Sequence, residues 1–186
     1  MREIVFFLEE PSAREMLKGV LKNTLPKEIT PRFVVFQGKQ DLEKRLPIRL
    51  RAWQQSNTLF VVIRDQDSGN CINIKQALKQ KCSEAGQPNT LIRIACRELE
   101  SFYLGDLKAV AHAFNLKNLA KQQNKSKFRD PDRLGNPAEE LKKMVPNYQK
   151  ISGSRAIAPL LNITENRSNS FNALISGIQR IITEEH

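Results

Sequence analysis

The sequence predicts an α/β protein: a mainly parallel four-stranded sheet flanked by helices, with a helical extension at its C-terminal side. Three observations carry this. Short apolar runs alternate with amphipathic stretches up to about residue 106, in the order β-α-β-α-β-α-β. Such alternation implies right-handed crossovers between parallel strands. The run Leu59–Ile63 is apolar or β-branched on both faces, as befits a strand covered by helices on both sides. After Cys96 no strand-like run follows, and the remaining periodicity is helical. The expected organisation is an α/β core over residues 1–106 and a mainly helical extension over residues 107–186 packed on it.

Glu3–Leu8 reads as the first strand. Ser12 is expected to cap the next helix, with Glu15 completing a capping box. Met16, Leu17, Val20 and Leu21 give that helix its apolar stripe, to about Asn23. Pro26 and Pro31 bracket a turn before a second strand, Arg32–Phe36. Asp41 is expected to cap a helix through Trp53, with Pro47 kinking or splitting it. The third strand opens at Leu59. Ile72–Ala85 reads as a helix closed by Gly86, and Thr90–Ala95 as the fourth strand. Helices are then expected after Arg97, over Asp106–Phe114, over Ala138–Val145, from Ile151, and over Phe171–Ile182 with Ser168 or Ser170 as cap. Gln122–Pro137 is polar, basic and rich in turn residues, and is expected to be an exposed, mobile loop.

Composition narrows the classes of function. The chain has 186 residues, 40% hydrophobic and 27% charged, enough apolar content for a core. No apolar run approaches the length of a membrane span. The opening MREIVFFLEEP turns acidic too soon for a signal peptide. Cys71, Cys82 and Cys96 show neither CxxC spacing nor a neighbouring His at zinc spacing. A cytoplasmic protein is expected. The net charge of +10 and pI near 9.7 favour a polyanionic partner, most simply nucleic acid. From Leu107 onward, thirteen Lys or Arg face seven Asp or Glu.

Carboxylates collect where strands end. The first strand runs into Glu9 and Glu10, the third into Asp65 and Asp67, the fourth into Glu98 and Glu100. Open α/β sheets bind ligands just beyond the carboxyl ends of their strands. In an extended segment, residues i and i+2 face the same side, so Asp65 and Asp67 are expected to aim at one point. Like charges crowded together raise one another's pKa and cost stability. A hard divalent cation, Mg²⁺ or Mn²⁺, removes that cost. Arg64, Arg93 and Arg97 flank the acids. His112 and His186 make neither a convincing base nor a ligand, and Trp53, Phe102 and Tyr103 read as core.

Glu at the end of the first strand, a small-residue turn and helix, then DxD at the end of the third strand resemble the Toprim pattern. Leu8-Glu9-Glu10-Pro11-Ser12 is similar to the family's Val-Glu-Gly-Pro-Thr turn, with Glu10 where that pattern has Gly. Asp65 and Asp67 match DxD. Arg97–Tyr103 resembles the acidic-aromatic segment after the fourth strand. The resemblance covers roughly residues 1–106; beyond it only Ser152-Gly153-Ser154 and Ser168–Phe171 look family-like. It is nearest to small stand-alone bacterial Toprim-like proteins, a domain of unknown function related to Toprim and OLD-type nucleases.

The resemblance implies a metal-dependent nuclease or related phosphoryl-transfer protein acting on DNA or RNA. It also implies an ATP-binding-cassette-like ATPase as possible partner in a phage-defence cassette. Glu9, Asp65 and Asp67 are then the expected metal ligands. Glu98 and Glu100 are expected to complete a second metal site or act as general base. Arg64, Arg97, Lys125, Lys127 and Arg129 are the expected nucleic-acid contacts. Two alternatives stand beside this. One is a non-catalytic Toprim-shaped binding or regulatory subunit. The other is a receiver-like signalling module, which also needs a Lys after a fifth strand that the sequence does not supply.

Overall fold

The strand β1 (Arg2–Leu8) lies inside a four-stranded, all-parallel sheet of order β2-β1-β3-β4. The other strands are β2 (Ile29–Val35), β3 (Thr58–Asp65) and β4 (Leu91–Ala95). The structure, a computed structural model, describes residues 2–22 and 24–184. Helix α1 (Pro11–Leu21) follows β1, α2 (Lys39–Arg51) follows β2, and α3 (Cys71–Glu84) follows β3. Then come α4 (Glu100–Leu104), α5 (Leu107–Ala113), α6 (Pro137–Met144), α7 (Lys150–Ile157) and α8 (Asn169–Thr183).

The period-two alternation of the strands divides the core. Ile4, Phe6, Leu8, Val61 and Ile63 face α1 and most of the later helices. Val5, Phe7, Phe60 and Val62 face Leu42, Leu46 and Leu50 of α2 and Leu78 and Cys82 of α3. Both faces of β1 and β3 are thus dry, which is why these strands read as unbroken apolar runs. Fully burying one such side chain contributes roughly 1.5–3 kcal/mol. Phe171, Leu174 and Ile178 of α8 and Ile157 of α7 belong to the first of these clusters, so residues beyond 106 complete the core of the sheet. Gly19 of α1 permits a close approach: a Cβ there would lie 2.6 Å from that of Ala158.

Several local expectations differ from what is seen. The capping box at Ser12 does not form. Pro11 opens α1, a position its fixed φ favours, so the N-cap is Glu10, two residues before the expected Ser12, and Ser12 instead donates to Glu10 Oε1 at 2.6 Å. Glu15 accepts from Arg155 Nε at 2.9 Å. Helix α1 ends at Leu21, and the expected limit at Asn23 lies outside the described residues. Strand β2 begins at Ile29 and includes Pro31, tolerated because β2 is an edge strand. Helix α2 starts at Lys39, where Asp41 reaches back to the Gln37 amide at 3.1 Å. It continues as one helix through Pro47, with Leu42, Leu46 and Leu50 anchored on either side.

The largest difference concerns Gln122–Pro137. It is not an irregular loop but a chain of 3₁₀ turns, Ala120–Asn124, Ser126–Phe128 and Pro131–Arg133. Phe128 is 1% exposed and plugs the core. The Asp132 carboxylate accepts from the Ser170 amide at 2.7 Å and from the Ser168 hydroxyl at 2.7 Å. One buried aromatic and one carboxylate at the start of α8 hold the segment despite its polar composition.

Candidate active site at the carboxyl edge of the sheet

β1 ends at Leu8, β3 at Asp65 and β4 at Ala95, so the acids that follow leave the sheet at one edge. Glu9 Oε2 accepts from the Asp65 backbone N–H at 3.2 Å. It also lies 3.9 Å from Arg64 Nε. Burial pushes the Glu9 carboxyl above its usual range, and the charges of Asp67 and Glu10 push the same way.

Asp65, the last residue of β3, is 9% exposed. Burial raises its carboxyl well above the usual range, and the charges of Glu10, Glu9 and Glu100 raise it further, while Lys150 opposes them. Glu100 opens α4 and is 1% exposed. Its Oε1 accepts from the Tyr148 hydroxyl at 3.2 Å, whereas its Oε2 is buried with no hydrogen-bond partner. Burial raises this carboxyl too, against the pull of Lys150.

Lys150, the first residue of α7, supplies the cation. Its Nζ lies 3.4 Å from Glu10 Oε1. Burial works against its charge, yet Glu100, Glu10 and Asp65 together hold its pKa above the usual lysine value. Behind it the Tyr103 hydroxyl donates to Ser154 Oγ at 2.6 Å, fully buried. Gly153 makes room for this layer, since a Cβ there would lie 2.1 Å from the Tyr148 ring.

The other expected site residues stand around this group. Asp67 departs from the alternation that would aim it with Asp65. Its φ of 53° takes the chain out of extended conformation, and its Oδ2 pairs with Lys39 Nζ at 2.8 Å. Glu98 Oε2 accepts from the Ala138 N–H at 2.8 Å, at the start of α6. Arg64 spans Glu9 and Glu43, the latter at 2.8 Å. Arg97 donates to the Asp67 carbonyl at 3.4 Å. Arg93 does not flank the acids: its guanidinium turns to α8, donating to the Ala173 carbonyl at 2.8 Å.

Lys127 is taken by Glu140, and Lys125 approaches Gln122 Oε1 at 3.5 Å. Arg129 is exposed. His112 lines a separate cavity of about 560 Å³ with Asp106 and Arg167. His186 lies outside the described residues.

Three members of the site are not predicted from the sequence: Glu10 as an inward-facing acid, Tyr148 and Lys150. Glu10 sits beside Glu9, so its place at the edge is legible. Lys150 is 140 positions from Glu10, and no local pattern pairs them; only its position just before Ser152-Gly153-Ser154 marks it. Chemically, the group offers buried hard oxygens, one of them orphaned, and a single internal ammonium.

One family model, described as Domain of unknown function (DUF4276), matches the chain over residues 8–179. No curated protein and no solved structure matches it.

Proposed function

The chain belongs to that family of unknown function, and on its acid group we propose that it is a Toprim-like, metal-dependent phosphoryl-transfer protein, a nuclease acting on nucleic acid. The observation that carries the reading is the buried Asp65 at the end of β3 together with Glu100 at the start of α4, whose Oε2 is buried and unpartnered. Buried like charges are costly without compensation, and this group lies where parallel sheets place their ligands.

The donors suit a hard cation. Among the described residues, no three His, Cys, Asp or Glu side chains are grouped to hold a metal by themselves. Mg²⁺ is usually held by one or two carboxylates, with water and substrate phosphates completing its shell. Asp65 and Glu100 are the carboxylates best placed for that role, with Glu10 beside them. Glu9, Asp67 and Glu98 are each engaged by an amide or an ammonium. When bound, Mg²⁺ or Mn²⁺ supplies charge on the phosphoryl oxygens and an acidified water.

The chain's own groups do the rest. Burial and the neighbouring acids make a bare, ionised Asp65 costly, and a bound cation relieves that cost. Lys150 keeps a positive charge beside the acids, suited to a phosphate oxygen. The net charge of +10 attracts the polyanion. An ATPase partner is proposed on the resemblance alone.

The test is incubation with single- and double-stranded DNA and RNA in Mg²⁺, Mn²⁺ or EDTA. Metal-dependent cleavage is expected, lost in Asp65→Asn and in Glu100→Gln. Cleavage that persists in both variants would place the activity elsewhere or in a contaminant. Lys150 favours a second reading, because an acid group already balanced by an internal ammonium also suits a non-catalytic binding subunit. No cleavage by the protein, alone or with an ATP-binding-cassette-like partner, would select that reading.

A further inference from the structure

β4 is the other edge strand of the sheet, and a second charged feature lies along it. A cavity of about 370 Å³ follows residues 88–93. Lys75 and Lys79 line it from α3, Arg93 from β4 and Arg180 from α8. Glu184, the one acid among the described lining residues, is taken by Arg180 at 2.9 Å.

Arg93 is fixed in place. Its Nε donates to the Ala173 carbonyl at 2.8 Å and its Nη1 to the Ile92 carbonyl at 2.9 Å. Gly177 provides the space, since a Cβ there would lie 2.4 Å from Arg93 Nη2. Burial, and then the charge of Arg180, depress the Arg93 pKa. Among the described residues, four cations from three elements therefore surround one cavity with a single carboxylate to offset them. Such repulsion is relieved by an anion, and phosphate matches the guanidinium and ammonium donors.

The cations do not stop at the cavity. Helices α2 and α3 carry eight Lys or Arg against Asp41, Glu43 and Glu84. The two helices cover the same face of the sheet. A lone phosphate engages only part of the set Lys75, Lys79, Arg93 and Arg180, whereas a nucleic-acid backbone meets all four. Arg93 pairs in register with Ile63, two residues before Asp65, or about 7 Å along the strand at ~3.3 Å per residue. The near end of the groove thus lies two residues short of the acid edge, and the rest of it runs back to Pro88 at the amino end of β4.

We propose that the groove between α3 and α8 along β4 is a subsite for the phosphate backbone of nucleic acid, with Lys75, Lys79 and Arg180 as phosphate contacts and Arg93 as a fixed cation at its wall. The proposal rests on the nucleic-acid reading above and names the surface that serves it.

The test is fluorescence anisotropy of a short labelled single strand, DNA or RNA, in EDTA across a salt series. Lys75→Gln/Lys79→Gln/Arg180→Gln should weaken binding at least about tenfold at low salt. Its slope of log K against log salt should shrink by about 2, at roughly 0.7 per lost contact on a single strand. Exposed Lys79→Glu alone should act in the same direction. Lys125→Gln/Lys127→Gln/Arg129→Gln should change the slope less. An unchanged slope in the groove variants, a larger loss in the 125–129 variant, or no binding by the wild type would overturn the proposal. Titration with inorganic phosphate and pyrophosphate separates the sources: binding of these without oligonucleotide binding would make this a free-phosphate site and overturn it as well. The assay needs no cleavage. Groove-dependent binding without cleavage in Mn²⁺ defeats only the nuclease reading; cleavage with an unchanged slope defeats only the groove.

Discussion

Asp65 and Glu100 sit where ionisation is costly, and that cost sets a pH dependence. Both carboxyls are raised above their usual values, first by burial and then by one another's neighbours. An acid with a raised native pKa binds its proton more tightly when folded. Its contribution is full below the unfolded value, about 4 for these groups, and is lost as pH rises through the raised native value. Relative to wild type, Asp65→Asn should therefore gain stability as the pH is raised above about 4 in EDTA, read from urea midpoints. A flat or falling difference would show that this carboxylate is not strained. Lys150 carries the opposite sign: its raised pKa contributes fully through neutral pH and is lost only in strong base. Its side chain is 40% exposed, so Lys150→Met should cost about 1 kcal/mol, as for partly screened pairs. Combined with Glu100→Gln, the loss should be smaller than the sum, since the two share one interaction. Asp65 was legible because it follows an apolar run directly; Lys150 was not, because its partners lie on elements far away in the chain.

At the scale of elements, the segment from Ala120 to Arg133 shows how few residues fix a stretch of polar sequence. Asp132 accepts from the Ser170 amide and both serine hydroxyls, and Ser168 Oγ in turn accepts from the Phe171 N–H at 3.1 Å. A carboxylate at this end of α8 also complements the helix dipole. Asp132→Ala should cost about 1–2 kcal/mol, as lost caps do, with Asp132→Asn milder. Phe128→Ala should cost roughly 3–5 kcal/mol, the range for emptying a buried aromatic site. Urea midpoints give both values. Limited proteolysis should find new cuts within 120–135 in each variant, and a wild-type cleavage pattern would show that the segment is held by something else. The same tertiary override shifted the start of β2, where pairing with β1 draws Pro31 into an edge strand.

For the whole molecule, a ligand that binds only the native state raises stability by mass action, about 2.7 kcal/mol at a hundredfold excess over its Kd. Mg²⁺ or Mn²⁺ should accordingly raise the melting temperature of the wild type and leave Asp65→Asn/Glu100→Gln unmoved. An equal rise in the double variant would place the metal elsewhere. Among the described residues, no helix is long and apolar enough to cross a membrane, and Cys71, Cys82 and Cys96 are free thiols. Stability at this scale rests on the sheet with its two helical layers, to which both halves of the chain contribute.

By itself the sequence determined the class of fold and the edge of the sheet where the acids gather. Those properties are local: two-faced apolar strands, amphipathic helices, and Glu9, Asp65 and Glu98 just past strand ends, each readable within a few residues. Tertiary structure decided which acids meet. Left-handed backbone at Asp67 turned it to Lys39, and the Ala138 amide claimed Glu98. The packing of α7 against α1 carried Lys150 to Glu10, and α4 placed Glu100 beneath Tyr148. Electrostatic pairing depends on distances of a few ångströms between residues up to 140 positions apart, and those distances exist only once the helices have closed over the sheet.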